Sequence, residues 1–237
     1  FYWSAGTADD IADEGDAARG QRLDQLAAYR ADLHAVAAGR APSERWPSVF
    51  GPLARAIDEW RLPVPALADL LSAFEQDVAK TRDGAGYADR AELLDYCRRS
   101  ANPVGRLMLH LYGVEDGVSL ARSDAICTSL QLINFWQDLG VDLQRGRRYL
   151  PQADCRAHGV DPLSPATAPA PRRIALVREE CAWARALMSE GAPLVRRVPG
   201  RAGWELRGVV QGGLRILDRI EGLGFDMEIE DVVVSGD

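Results

Sequence analysis

Apolar residues recur at helical spacing along most of the chain, and almost no segment alternates apolar and polar residues with a period of two. The pattern predicts helices over residues 17–38, 48–60, 66–82, 89–113, 119–143, 172–191 and 204–222. Asn102-Pro103 interrupts the fourth of these, and the four prolines of residues 161–171 predict a loop. We therefore predict an all-α fold, with one domain over residues 1–226 and an unassigned tail over residues 227–237.

Composition and charge limit the classes of function. The 237 residues are 47% hydrophobic, which suffices for a substantial core and excludes global disorder. The net charge of −7 argues against nucleic acid as a partner. The four cysteines contain no C-x-x-C pair and the three histidines no paired metal-ligand set, so reduced thiols in a cytoplasmic protein are expected. The sequence does not predict the oligomeric state.

We expect neither a membrane span nor a secretory leader in this sequence. No apolar run is long enough to predict a membrane span, and no secretory leader is recognised. Because the chain does not begin with Met, it is expected to start inside a longer parent.

One predicted helix carries a narrow polar stripe. Between residues 119 and 143, the side chains of Gln131, Asn134, Asp138 and Asp142 fall within an arc of roughly 80° at helical spacing. The remaining side chains of this helix are almost all apolar, which predicts a buried helix. Buried carboxylates need partners. The stripe therefore predicts either a salt-bridged structural contact or a metal site.

A second group of acids lies near the start of the chain. Asp9 and Asp13 are four residues apart and share one face of a helix, with Asp10 beside them. Such acids also suit a solvated first turn, where they favour the helix dipole. Facing the polar stripe across a helical cavity, they would instead hold Mg²⁺, whose preferred ligands are carboxylates and the oxygens of a bound diphosphate.

Three motifs together identify a family. They are Tyr96-Cys-Arg-Arg-Ser-Ala-Asn-Pro-Val-Gly-Arg106, Leu130-Gln-Leu-Ile-Asn-Phe-Trp-Gln-Asp-Leu-Gly-Val-Asp142 and Gly146-Arg-Arg-Tyr-Leu-Pro151. With the Asp9–Asp13 pair, they resemble the squalene/phytoene synthase family from residue 1 to about 222. The resemblance implies a class I terpenoid synthase, an all-α helical bundle around a central cavity. Within the family the wording is most similar to the hydroxysqualene synthases of bacterial hopanoid biosynthesis, with Gln137 where other branches usually carry Arg.

The resemblance also implies a role for each matching residue. It makes Asp9, Asp13, Asp138 and Asp142 catalytic ligands of Mg²⁺, with Asp10 behind them and Asn134 as a further ligand. Tyr96 would line the pocket of the carbocation close to the reacting carbons. The substrate-binding residues would be Tyr2, Gln131, Asn134, Arg147 and Tyr149, of which Arg147 and Tyr149 would contact the diphosphate.

The implied reaction is the Mg²⁺-dependent conversion of presqualene diphosphate to hydroxysqualene, with water rather than hydride as the final nucleophile, so that NADPH is not expected. The alternative within the family is the head-to-head condensation of two farnesyl diphosphates. Because substrate and product are lipids, peripheral contact with the inner membrane is expected of a cytoplasmic enzyme of this kind.

Two departures from the family pattern leave other functions open. The family usually has Arg at the position of Gly6. The helix that precedes this position in the family has no counterpart in this sequence. A binding subunit that has lost catalysis is therefore a second hypothesis. A helical scaffold, whose acids are all surface charges, is a third.

Overall fold

The structure of the protein, a computed structural model, describes residues 6–8, residue 11 and residues 19–225. Within this part the chain forms helices and no strand, so the all-α prediction is confirmed. The helices are α1 Arg19–Ala37, α2 Pro47–Trp60, α3 Val64–Asp83, α4 Arg90–Ser100, α5 Asn102–Leu111, α6 Gly117–Gln137, α7 Leu139–Gln144, α8 Gln152–Ala157, α9 Ala170–Gly191 and α10 Gly200–Gly222. Two short 3₁₀ segments, Pro165–Thr167 and Ala192–Arg196, flank α9.

Helix ends follow the local chemistry of the sequence. Asp89 caps α4 by accepting a hydrogen bond from the Glu92 amide, and Asp116 caps α6 through the Ser119 amide. The interruption predicted at residues 102–103 is confirmed, because α4 ends at Ser100 and α5 begins at Asn102 with Pro103 in its first turn.

Two features of the helix prediction were wrong. The helix expected over residues 119–143 is divided at Asp138, whose backbone lies at φ −99° and ψ 15° between α6 and α7. Helix α8 was not predicted, since six residues after Pro151 are too few to show an apolar period.

Helix α6 is the centre of the larger core. It packs against α4, α5, α9 and α10, and most of its apolar side chains are buried as predicted, although Val118 is exposed and Leu130 is half-buried. Close approach to α9 depends on Gly191, where a Cβ would lie 2.5 Å from Ile126 Cγ1 and 2.7 Å from the Arg122 carbonyl oxygen. The Ser129 hydroxyl donates to the Ala184 carbonyl across the same contact, at 2.7 Å.

The N-terminal helices form a second buried cluster. Leu26, Tyr29 and Leu33 of α1 pack against Phe50 of α2 and the apolar face of α3, and Ala8 joins them. Arg30 of α1 binds the carboxylate of Glu75 in α3 through two nitrogens, at 2.9 and 3.0 Å. Helix α3 therefore joins this cluster to the rest of the bundle, since it also packs against α4 and α5.

The segment after α7 is held against the loop that follows α3. The backbone amides of Gln152 and Ala153 donate to the carbonyls of Tyr87 and Ala88 at 2.9 and 3.0 Å. The Arg148 guanidinium donates to the Gly84 carbonyl at 2.9 Å. This pairing orients the segment that carries Arg147 and Tyr149.

Among the described helices, none is both long and apolar enough to cross a membrane. The four cysteines are free thiols. The organisation of residues 1–226 as one domain stays a prediction, and the tail over residues 227–237 lies outside the described residues.

Candidate active site

The predicted polar stripe keeps its helical spacing across the break between α6 and α7. The Asp138 amide donates to the Asn134 carbonyl and the Asp142 amide to the Asp138 carbonyl, both at 2.9 Å. The three side chains therefore lie on successive turns of nearly continuous helix. Asn134 and Asp138 are exposed, Gln131 is half-buried and Asp142 is buried.

A helix cap brings Arg147 back beside Asp142. Gly146 adopts φ +78°, its amide donates to the Leu143 carbonyl, and the Arg147 amide donates to the Asp142 carbonyl at 2.8 Å. These two bonds are the Schellman pattern that ends a helix at a left-handed glycine. The Arg147 guanidinium then lies 4.0 Å from the Asp142 carboxylate. A sequence with a bulkier residue at position 146 would resist this turn.

The donor atoms of the stripe suit Mg²⁺. Asn134, Asp138 and Asp142 offer amide and carboxylate oxygens, which are hard ligands, and the exposed Asp138 carboxylate forms no hydrogen bond or ion pair within the described part of the chain. Among the described residues, no group of three or more acidic, histidine or cysteine side chains is arranged so that it could hold a metal ion by itself. An arrangement with few protein ligands fits Mg²⁺, because water and substrate phosphate complete the coordination of this cation.

Asp77 of α3 joins two tyrosines that the sequence had placed in the site. The Tyr96 hydroxyl of α4 donates to one oxygen of the Asp77 carboxylate, and the Tyr149 hydroxyl donates to the other at 3.3 Å. Tyr96 and Tyr149 are 3% and 6% exposed, so both phenols are held in a nearly dry environment. Asp77 thus fixes the orientation of both rings.

The rings of Tyr96 and Tyr149 form an aromatic cluster with those of Tyr87 and Phe135. Phe135 of α6 stacks on Tyr149 with ring centroids 3.7 Å apart and planes 9° apart. Tyr96 lies 6.2 Å from both Phe135 and Tyr149, and Tyr87 lies 5.5 Å from Tyr96. Electron-rich ring faces stabilise positive charge that develops near them.

Burial determines the protonation of these phenols. It raises the pKa of Tyr96 well above its ordinary value, and the negative charge of Asp77 raises it further. The pKa of Tyr149 is raised by the same two causes in the same order. The two tyrosines are therefore neutral hydrogen-bond donors at physiological pH, and not phenolate bases.

Cationic side chains share a small cavity with Asp77. This cavity is lined by Asp77, Lys80, Tyr87, Arg147, Arg148 and Tyr149, among others. Within it, the Lys80 ammonium donates to the Gly86 carbonyl and to the Glu92 carboxylate, both at 2.7 Å, and lies 4.5 Å from the centre of the Tyr87 ring. Arg147 therefore borders both the acidic stripe and the aromatic cluster.

An apolar groove of about 330 Å³ lies beside α6. Leu130, next to Gln131 in the chain, is the lining residue nearest in sequence to the polar stripe, whose own side chains do not line the groove. The other side chains of the groove come from α5, α6, α10 and the segment before α10, and include Val104, Met108, Tyr112, Ile126, Cys127, Leu194, Val198, Leu206 and Val209. From Asp138 to Ser123 the helix rises about 22 Å, which is long enough to align an extended prenyl chain.

Gly105 lets α5 lie close to α6 beside this groove. A Cβ at this position would collide with Ser123 Oγ and would lie 2.5 Å from Cys127 Sγ. The neighbouring Asn102 amide oxygen accepts from the Thr128 hydroxyl at 2.9 Å. The motif thus brings the backbone of α5 close to the side chains of α6.

The structure brings together some of the predicted site residues and leaves others outside its scope. Tyr96 meets Tyr149 at Asp77, and Asp142 meets Arg147. Gln131, Asn134 and Asp138 lie at helical spacing along one face. The first acidic group and the aromatic side chain expected near it, Tyr2, Asp9, Asp10 and Asp13, lie outside the described residues. Their roles stay predictions.

Asp77 was not identified from the sequence. The sequence does contain an indication of its burial, because Leu70, Ala73 and Asp77 have the spacing of one helix face. Leu70 and Ala73 are buried. A carboxylate in line with core residues requires a partner. The sequence does not show that the partners are tyrosines 19 and 72 residues away.

The chain matches known proteins along almost its whole length. The family model for squalene/phytoene synthase matches residues 1–236. A hydroxysqualene synthase of Sinorhizobium fredii is 34% identical over 201 residues, which are 84% of this chain and 64% of that protein. A phytoene synthase of Thermus thermophilus is 33% identical over 226 residues, 94% of this chain and 74% of that protein. The matched region therefore spans just under two thirds of the hydroxysqualene synthase.

A solved structure has the same fold. The squalene synthase HpnC from Alicyclobacillus acidocaldarius superposes with a TM-score of 0.84 at 34% identity, covering 94% of this chain and 81% of that one. The terpenoid-synthase helical fold expected from the motifs is confirmed. The chain belongs to the squalene/phytoene synthase family.

Proposed function

We propose that this chain converts presqualene diphosphate to hydroxysqualene with the help of Mg²⁺. The C–O bond to the diphosphate breaks and its electron pair leaves with the diphosphate. The cyclopropylcarbinyl cation rearranges, water adds to it, and a proton is lost. The products are hydroxysqualene and inorganic diphosphate, and no reductant takes part.

The observation that carries the proposal is the position of two unlike surfaces on one helix. Asn134 and Asp138, whose oxygen atoms can bind a cation, follow Leu130 along α6 and at its C-terminal end. Leu130 itself lines the apolar groove. A substrate with a diphosphate head and a long hydrocarbon tail matches this sequence of charge and apolar surface. Mg²⁺ held at the stripe would neutralise the charge of the leaving diphosphate.

The protein's own side chains have separable roles in this proposal. Arg147, beside Asp142, provides a guanidinium for the diphosphate oxygens. Tyr96 and Phe135 present ring faces to the cation, and Asp77 holds Tyr96 in place. Because Tyr96 and Phe135 are nearly dry, they also restrict the water that reaches the cation.

Two observations support water capture over the alternatives. Gln137 stands where other branches of the family usually carry Arg, as the motif comparison indicated, and a hydroxysqualene synthase is among the relatives. The phytoene synthase that aligns with most of the chain supports the second candidate, head-to-head condensation of two prenyl diphosphates.

The location in the cell is part of the proposal. We place the enzyme in the cytoplasm, in peripheral contact with the inner membrane, because its substrate and product would be lipids that partition into a bilayer.

The test is an incubation of the purified chain with presqualene diphosphate and Mg²⁺, without NADPH, followed by mass spectrometry of the organic products. Parallel reactions contain farnesyl diphosphate or geranylgeranyl diphosphate as the only substrate. Asp138→Ala is the inactive control and Glu190→Ala, an exposed acid on α9, is the matched active control.

Each result selects one candidate. Formation of hydroxysqualene by the wild-type chain but not by Asp138→Ala would establish the proposed reaction. Presqualene diphosphate or phytoene formed from the shorter substrates establishes condensation instead. If the folded chain binds a diphosphate analogue in the presence of Mg²⁺ but turns over none of the three substrates, it is a binding subunit. If it also fails to bind, the scaffold hypothesis holds.

A further inference from the structure

The small cavity beside Asp77 has room for a single water molecule. It lies between the C-terminal end of α3, the loop after α3 and the segment after α7, and it encloses about 10 Å³. Asp77, Tyr87 and Tyr149 line it. The rings of Tyr87 and Tyr149 also stack within the aromatic cluster, with planes 22° apart. The cavity and the aromatic wall of the candidate site therefore share side chains.

Tyr87 brings a buried hydroxyl without a partner to this cavity. The residue is 1% exposed, and no group in the described part of the chain forms a hydrogen bond with its hydroxyl. The amide oxygen of its neighbour Gln76 accepts from Arg99 instead. A buried hydroxyl that has no protein partner and lines a polar cavity is the usual sign of a bound water molecule.

Asp77 supplies the acceptor that such a water molecule needs. Each of its two oxygens accepts one phenol, that of Tyr96 or that of Tyr149, and each keeps a further lone pair. The water would accept from Tyr87 and donate to Asp77, with the Thr81 hydroxyl as a third polar group on the cavity wall. Two to four polar partners are what holds an internal water molecule.

The cationic side chains of the cavity already have partners of their own. Lys80 donates to Gly86 and Glu92, and Arg148 donates to the Gly84 carbonyl. Arg147 lies beside Asp142. Space for one water molecule does not admit a phosphate group, so the contents of the cavity are decided by its hydroxyl and carboxylate groups.

The proposed reaction requires one water molecule at a place from which bulk water is kept away. Tyr96 and Phe135, whose ring faces would meet the cation, are 3% and 5% exposed. Free access of water would capture the cation before it rearranges. A water molecule fixed beside Tyr149, whose ring stacks on Phe135, would be available without opening the wall to solvent.

We propose that this cavity binds the water molecule that captures the rearranged cation, and that Asp77 is the base that takes its proton. The catalytic part rests on the proposed function, whereas the binding of water does not. The lone pair of the water oxygen forms the new C–O bond. One O–H bond of the resulting oxonium breaks, its electron pair stays on the hydroxyl of the product, and the proton moves to the Asp77 carboxylate. A cation and a carboxylate thus become an alcohol and a carboxylic acid, which returns its proton to solvent.

A high-resolution crystal structure tests the water site without reference to activity. Wild type should show one ordered water molecule within hydrogen-bond distance of the Tyr87 hydroxyl and the Asp77 carboxylate, and Tyr87→Phe should lose it. Tyr87→Phe should also raise the equilibrium constant of unfolding about fivefold, the effect of one net hydrogen bond. Tyr112→Phe, which removes an exposed hydroxyl, should leave that constant unchanged.

The opposite results would overturn the water site. A wild-type cavity without water is one of them. The other is a Tyr87→Phe variant that is as stable as wild type or more stable, because removal of a buried hydroxyl that binds nothing relieves the cost of its desolvation.

The partition of products tests the role of Asp77. Asp77→Asn keeps the shape and one oxygen acceptor but is not a base. With presqualene diphosphate and Mg²⁺, Asp77→Asn and Tyr87→Phe should release diphosphate at a rate near that of wild type, because ionisation precedes capture by water. The share of hydroxysqualene among the organic products should fall at least about tenfold, in favour of hydrocarbons formed by loss of a proton from carbon.

A merely structural role of Asp77 would give a different result. Diphosphate release and hydroxysqualene would fall together at an unchanged product ratio, which would overturn the catalytic role. If wild type releases diphosphate from no substrate, the proposed function fails and the role of Asp77 as a base fails with it. The crystal structures and the stability of Tyr87→Phe would still decide whether the cavity binds water.

Discussion

The Tyr96 hydroxyl donates its hydrogen bond to Asp77, so that a phenol of α4 is anchored on a carboxylate of α3. The same carboxylate accepts from Tyr149, which lies after α7 and stacks on Phe135 of α6. One acid therefore ties three separate parts of the chain into the aromatic wall of the candidate site. Its removal affects more than a single contact.

Replacement of Asp77 should be more damaging than replacement of either tyrosine. Tyr96→Phe should lower the free energy of unfolding by about 1 kcal/mol, and Asp77→Ala by about 2–4 kcal/mol, because it leaves two buried phenols without their acceptor. Denaturant unfolding monitored by circular dichroism measures both. The double variant Asp77→Ala/Tyr96→Phe should lose less free energy of unfolding than the sum of the losses in the two single variants. Additive effects would show that the two residues do not act as a pair.

Asp138 and Asp142 should respond differently to the same substitution. Asp138→Ala should stay within about 0.5 kcal/mol of wild-type stability, because its side chain is exposed and makes no ion pair in the described structure. Asp142→Ala should lose about 1–3 kcal/mol, because it removes a buried partner of Arg147. Both should abolish Mg²⁺-dependent turnover. Full activity of Asp138→Ala would contradict a role of this carboxylate in binding Mg²⁺.

Gly105 and Gly208 form a matched pair of helical glycines. Gly105→Ala should destabilise the protein by about 1–3 kcal/mol, since its methyl group would collide with Ser123 and Cys127 and push α5 away from α6. The methyl group of Gly208→Ala would meet no atom of the described residues within 4 Å, so this substitution should stabilise α10 by up to about 1 kcal/mol. Melting temperatures of the two variants give the sign of each effect. Equal effects would contradict the close packing at Gly105.

Arginine at position 6 should improve binding of the diphosphate. A Cβ at Gly6 meets no atom of the described residues within 4 Å, and the resemblance to the family implies Arg at this position. One additional charge-assisted contact should raise kcat/KM by roughly tenfold or more. Gly6→Ala, which adds bulk without charge, is the control and should leave kcat/KM near that of wild type. An equal gain in both variants would mean that backbone restriction, and not charge, is responsible.

Three of the six tyrosines should resist titration in the folded protein. The pKa values of Tyr87, Tyr96 and Tyr149 are raised, mainly by burial. Neutral phenols therefore stabilise the fold below about pH 10, the ordinary tyrosine pKa, and this contribution is lost as the pH rises toward the raised values. Absorbance at 295 nm should report ionisation of no more than three tyrosines before unfolding. Early ionisation of five or six would contradict the burial of this cluster.

Much of the candidate site follows from local sequence order. The spacing of Gln131, Asn134, Asp138 and Asp142 depends only on helix geometry, which a single segment specifies, and it persists although the helix is divided at Asp138. The same is true of the break at Asn102-Pro103 and of the apolar periods that make the fold all-α. Family membership was also accessible, because its motifs are contiguous stretches of residues.

Contacts between distant segments were decided only by the tertiary structure. Asp77 looked like one more acid on a helix until folding placed it beside Tyr96 and Tyr149, and Glu180 until folding buried it beside Arg90. Burial changes the chemistry of such groups, because a carboxyl group deprived of water must find a donor or keep a proton. A linear pattern records which side chains are present, whereas only packing determines which of them lose water together.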